Sequence, residues 1–173
     1  TTTYGDISNW IVSAVTDMSE IFKDLDDKLS KNGDDQPNDQ DDDNVYRTFN
    51  QDISAWDVSS VTNMREMFHS ASIFNQDISN WNVGSVTNME GMFYDAFKFN
   101  QNISDWDVSK VTNMAYMFHY PGSTHYLYTS SFNGNISSWN VGAVTNMTSM
   151  FNIASAFNSD ISGWDVGSVT TMS

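Results

Sequence analysis

The six tryptophans of this chain mark a period. Along Trp10, Trp56, Trp81, Trp106, Trp139 and Trp164 the numbering advances by 46, 25, 25, 33 and 25. Three of these steps equal one unit, and the other two are longer, the first by 21 and the second by 8. The chain is therefore six turns of one 25-residue motif, broken by two insertions. Self-similarity at such a period means that one unit cannot bury its own apolar face and must stack on its neighbours.

Counted from its phenylalanine (Phe49, Phe74, Phe99, Phe132, Phe157), the unit reads F-N-Q-D-I-S-x-W-D-V-S-x-V-T-N-M-x-x-M-F-x-x-A-x-x. The apolar columns are nearly filled. Ile stands fifth from Ile7 to Ile161, Val tenth from Val12 to Val166, and Val thirteenth from Val15 to Val169. Met stands sixteenth from Met18 to Met172, and a Met-Phe pair such as Met67-Phe68 ends the motif's apolar run. The spacing I-x-x-W-x-V is that of a leucine-rich-repeat strand core, with Trp and Val inward. Val61, Met64, Met67, Phe68 and Ala71 then fall on one face of a helical segment. The spacing predicts a leucine-rich-repeat-like α/β solenoid. Each of its six coils is a short parallel β-strand plus a short α or 3-10 helical return, with two loop insertions.

The whole chain, 1–173, reads as a single repeat domain, with coils near 3–22, 49–73, 74–98, 99–118, 132–156 and 157–173. In this reading each Trp lies on the Trp of the next coil. Burying one indole removes roughly 150–250 Å² from water, about 4–6 kcal/mol gross before chain entropy. Polar columns run alongside: Asn second, Ser sixth, Thr fourteenth and Asn fifteenth. Such side chains satisfy backbone groups that bends leave unpaired.

These residues, over 5–22, 49–118 and 131–173, resemble the BspA-like leucine-rich repeat surface proteins, whose unit runs FNQDISxWDVSxVTNMxxMFxxA. The resemblance implies a secreted or surface-anchored repeat protein, non-enzymatic, associated with adhesion to protein or glycan partners. The expected location is extracellular or at the cell surface. The alternative is a structural subunit of a filament or coat, assembled by end-to-end stacking of repeats. The chain opens TTTYGD with no initiator Met and reads as a mature or excised piece of something longer; no polar capping repeat closes either end, so either caps belong to that longer chain or the ends meet other chains.

Composition narrows the partners. The net charge is −15, with 7 basic against 22 acidic residues, which opposes binding to nucleic acid or anionic membranes. No apolar run is long enough to insert in a membrane. There is no cysteine, so no disulfide braces the fold. No nucleophile–base pair, phosphate loop or acidic dyad points to catalysis, and no cofactor is expected apart from calcium.

Three regions carry the candidate contacts. The acidic insertion 23–48 holds nine Asp; Asp39, Asp41 and Asp43 are its candidate calcium ligands, although the Gly and distal Glu of a calcium loop are missing. The Tyr-rich insertion 119–131 offers Tyr120, His125, Tyr126 and Tyr128 as a contact surface for sugar or protein. The ninth column, Asp57, Asn82, Asp107, Asn140 and Asp165, should line a concave strand face. Its Asp/Asn alternation would relieve repulsion of about 0.9 kcal/mol between carboxylates about 4.8 Å apart. Asn102 and Asn135 head Asn-Ile-Ser sequons and are glycosylation candidates in a secreting eukaryote.

Overall fold

The computed structural model describes residues 6–23, 49–120 and 129–173. Within them each repeat is a succession of turns. The one helical segment is a 3-10 helix, Ile7–Asn9, N-capped by the Asp6 carboxylate. Parallel pairing is confined to one residue per repeat: Asp17 with Asn63, then Asn88, Asn113, Asn146 and Thr171 in series. The expected leucine-rich-repeat-like α/β solenoid, with a strand and a helical return in every coil, is thus corrected: neither element forms among the described residues.

The reason lies in the short polar side chains. In the fourth column the Asp or Asn Oδ1 accepts the N–H two residues on, as from Ser54 to Asp52, Ser79 to Asp77 and Ser104 to Asn102. The ninth column does the same, Ser59 donating to Asp57 and Gly84 to Asn82. So does the fifteenth, Arg65 donating to Asn63 and Glu90 to Asn88. Three such Asx turns per repeat offer the backbone an alternative to any ladder. Each is followed by a tight turn in the next residues: Trp56 N–H bonds Ile53 O, Val61 bonds Val58, and Met67 bonds Met64. Two of the three fall where the strand was expected, so no extended run survives there.

The return segment fails as a helix for a different reason. Glu66 and Ser70 have φ of 53° and 59°, and Gly91 and Asp95 repeat this at 57° and 59°. A helix needs negative φ throughout. The alternating hand turns the N–H groups of Met64, Glu66, Phe68 and Ser70 onto the carbonyls of Asn88, Glu90, Met92 and Tyr94 in the next repeat. Met89, Gly91, Phe93 and Asp95 likewise bond Asn113, Ala115, Met117 and His119. Alternate N–H groups thus bond along the stack, while those between them close three-residue turns within the segment, Met67 to Met64, His69 to Glu66 and Ala71 to Phe68, and no helical four-residue bonds form there.

Packing is dominated by phenylalanine. Phe68 and Phe74 lie 4.0 Å apart, and Phe93 and Phe99 3.9 Å apart, as stacked pairs. Successive pairs follow at 5.6 Å (Phe68 to Phe93, Phe93 to Phe118) and 6.0 Å (Phe74 to Phe99, Phe99 to Phe132). Both insertions open between the two rings of one pair, yet Phe22–Phe49 and Phe118–Phe132 close to 3.9 and 4.0 Å. The tryptophans flank this double column. Trp56, Trp81, Trp106 and Trp139 are buried, and each indole N–H donates to an Ile carbonyl of the preceding repeat, from Ile7 to Ile103. Trp10 and Trp56 stack at 6.3 Å, and Trp139 and Trp164 at 6.4 Å, but the continuous pile of rings is Phe rather than Trp.

Polar columns complete the stack. The N–H groups of Asn75, Asn100, Asn133 and Asn158 each donate to the side-chain oxygen of the preceding Asn in the series. From Thr62 onward each Thr of the fourteenth column donates both its N–H and its Oγ1–H to the preceding Thr carbonyl, as Thr87 does to Thr62.

Candidate functional site

The ninth column is exposed, and the Oδ1 of each residue is already engaged in a turn. Asp57, Asn82, Asp107, Asn140 and Asp165 each accept the N–H two residues on. Those bonds, chiefly with Ser59 and Ser109, hold the Asp57 and Asp107 carboxyls below the ordinary range. Asp107 and Asp165 each follow a repeat with glycine in its eleventh column, whereas Asp57 follows Ser13. A Cβ at Gly84 would stand 3.3 Å from Asp107 Oδ2, and one at Gly142 4.0 Å from Asp165 Oδ2. At these two places glycine leaves room for the carboxylate of the next repeat. The column is a turn element with one free edge.

The remaining sequence candidates part company. Tyr120 is buried against Phe97, ring centroids 5.9 Å apart, and burial pushes its phenol up to about 12; it is a core residue and not a contact surface. His125, Tyr126 and Tyr128, with Asp39, Asp41 and Asp43, lie outside the described residues. Asn102 and Asn135 are exposed, each Oδ1 accepting from the Ser two residues on. Among the described residues no three His, Cys, Asp or Glu gather as metal ligands, and no helix is long and apolar enough to cross a membrane.

A different surface collects chemistry. Positions seventeen, eighteen and twenty-one vary from repeat to repeat: Arg65, Glu90 and Ala115; Glu20, Glu66, Gly91 and Tyr116; Lys23, His69, Tyr94 and His119. Stacking brings them together. Glu66, His69, Glu90, Gly91, Tyr94 and Tyr116 line one cavity of about 310 Å³. Gly91 takes a positive φ of 57°, and a Cβ there would come within 3.1 Å of Glu66 Cγ. Without a side chain, Gly91 leaves a gap between Glu66 and Tyr116, its column neighbours one repeat either side.

The walls of the cavity are ordered. His69 stacks on Tyr94 at 4.4 Å, Tyr94 on His119 at 4.8 Å, and Tyr116 meets His119 edge-on at 5.6 Å. Glu66 is paired with both Arg65 and Lys23, and its carboxylate lies 3.7 Å from His69 Nδ1. Arg65 also pairs with Glu20 and lies 3.7 Å from Glu90. Burial opposes the Arg65 charge, but the bond to Glu20 and the fields of Glu66 and Glu90 outweigh it and raise its pKa. Glu90 accepts the Asn113 amide at 2.8 Å and remains partly exposed. Burial lowers the His119 pKa and raises that of Tyr94. The motif read as its constant columns gave no sign of this cavity. Its signal was in the variable positions, where one glycine falls between a Glu and a Tyr at the same place in successive repeats.

A family model described as "Mycoplasma protein of unknown function, DUF285" matches residues 1–34, 43–125 and 122–173. No curated protein and no solved structure matches the chain. With its constant columns and its variable cavity alike falling within the matched residues, the chain belongs to the DUF285 family.

Proposed function

We propose that the chain is a non-enzymatic binding module, secreted or displayed at the cell surface, that engages protein or glycan partners. The observation that carries this reading is the contrast between columns. Residues that hold the stack together are nearly the same in every repeat, whereas positions seventeen, eighteen and twenty-one differ and converge on the cavity of Glu66, His69, Glu90, Gly91, Tyr94 and Tyr116. A stack needs sameness to pack, and a recognition site needs difference. The resemblance to BspA-like surface proteins supports the same reading, as does an acidic surface that repels nucleic acid and anionic lipid. Calcium in the acidic insertion remains part of the proposal. Binding of the purified chain to an array of matrix proteins and glycans, with and without Ca²⁺, tests it. Saturable capture of at least one partner is expected; capture of none would overturn it.

A second reading, end-to-end assembly, has its own observation. Trp10 and Ile21 at one end and Val166 and Met172 at the other are exposed by 46%, 38%, 42% and 59%. Inner repeats bury the same columns against their neighbours, so one more repeat, from a continuation of this chain or from a second copy, would cover either face. Light scattering against concentration tests this: growth into open polymers supports it, and a stable monomer counts against it.

A further inference from the structure

We propose that the cavity between the second, third and fourth repeats takes a lysine or arginine side chain projecting from a partner protein. The inference rests on the reading of the chain as a binding module and names the chemistry that this site would recognise.

Size comes first. About 310 Å³ is at the lower limit of ligand pockets, enough for one long side chain. Charge comes second. Among the described residues, Glu20, Glu66 and Glu90 face Arg65 and Lys23, three carboxylates against two cations. Glu90 is the carboxylate with room for another cation: its Arg65 neighbour stands off at 3.7 Å, and its side chain is 31% exposed. The net charge of −15 adds attraction at longer range.

The rings decide between a cation and a sugar. Carbohydrates stack on open aromatic faces, but Tyr94 is sandwiched by His69 and His119. Tyr116 is the exposed ring, 38% accessible, and stands edge-on to His119 at 77°. One ring beside a carboxylate suits an ammonium or guanidinium through a cation–π contact. Lys23 already shows the chemistry within the chain, its ammonium bound to Glu66 at the edge of this network.

The test is a titration of the full 173-residue chain, followed by amide NMR shifts. The probe is an acetylated and amidated Gly-Ser peptide carrying one Lys and one Arg. The same peptide with Gln at both places is the control, and a neutral disaccharide is the third arm. Saturable shifts are expected around Glu66–His69, Glu90–Tyr94 and Tyr116 with the basic peptide only. Tyr116→Ala and Glu90→Gln should each weaken binding about threefold to tenfold. Asp77→Asn removes one charge outside the cavity and should leave the affinity unchanged. Thermal melts of each variant establish that it is folded. Equal binding of the Gln peptide overturns the proposal, as do shifts spread over the acidic surface and unaffected by the cavity variants. Saturation of the cavity by the disaccharide overturns the ligand class while leaving the binding-module reading intact. That broader reading fails on its own terms if the arrays capture nothing.

Discussion

At the residue scale, this fold depends on short polar side chains that finish turns. Asp and Asn serve equally: Asp52 and Asp77 share their column with Asn102 and Asn135, and all bind the N–H two residues on. Only the acids add pH dependence. Hydrogen bonds with Ser54, Ser79 and Ser109 lower the pKa of Asp52, Asp77 and Asp107 from 3.8. A group whose folded pKa is depressed contributes stability above its unfolded value, and this is lost as pH falls through the folded one. The protein should therefore lose stability progressively below about pH 4. The triple variant Asp52→Asn, Asp77→Asn, Asp107→Asn should match the parent at pH 7 and lose less on acidification, as melting temperatures between pH 7 and 3 would show. An equal acid limb in both would refute the assignment. In the amide column, Asn75 accepts the N–H of Asn100 at 2.9 Å and the side chain of Gln101 at 3.0 Å. Asn75→Ala should cost about 1 kcal/mol in urea unfolding, and Asn75→Asp much less.

At the scale of the repeat, what could be read from sequence was the inside and the outside. The periodic Ile, Val, Met and Phe are buried in the inner repeats, as the apolar pattern requires, because periodicity reports which face leaves water. Periodicity does not report hand. The spacing of Val61, Met64 and Met67 fits a helix, but positive φ at Glu66 and Ser70 forbids one, and nothing in a glutamate or serine announces that conformation. The glycine at position 91 was the one local hint. The Asx turns were legible in principle, since Asp or Asn two residues before Ser or Gly recurs in every unit, but strand spacing was given more weight. The cavity was missed because it arises between repeats, from positions that look random within any one of them. The insertions give a test at this scale. Phe22 and Phe49 meet as closely as Phe68 and Phe74, although the whole acidic insertion lies between the first two and only the stretch 69–73 between the second two. Replacing residues 24–48 by Ser-Ala-Ser-Ile, the sequence 70–73 of the second repeat, should preserve the fold. Loop closure then becomes easier by about 1.5 kcal/mol, which urea unfolding would register. Loss of the cooperative transition would contradict the common geometry of the ring pairs.

At the scale of the molecule, the stack is a one-dimensional assembly in which each repeat touches its neighbours. Its middle should be the hardest part to open. Phe93 is fully buried and packs on Phe68, Phe99, Phe118 and Trp106. Phe93→Ala should cost about 3–5 kcal/mol, whereas Phe157→Ala, in the half-buried last repeat, should cost clearly less by the same unfolding assay. Equal costs would argue against a column anchored at its centre. The most direct test of the stacking itself is a measurement of scalar couplings across hydrogen bonds, from amide nitrogen to carbonyl carbon, in isotope-labelled protein. The fold predicts couplings from Met64 to Asn88, Met89 to Asn113, Met114 to Asn146 and Met147 to Thr171, each spanning one repeat. Couplings from those amides to carbonyls four residues earlier in their own repeat would mean helical returns, and would contradict the account.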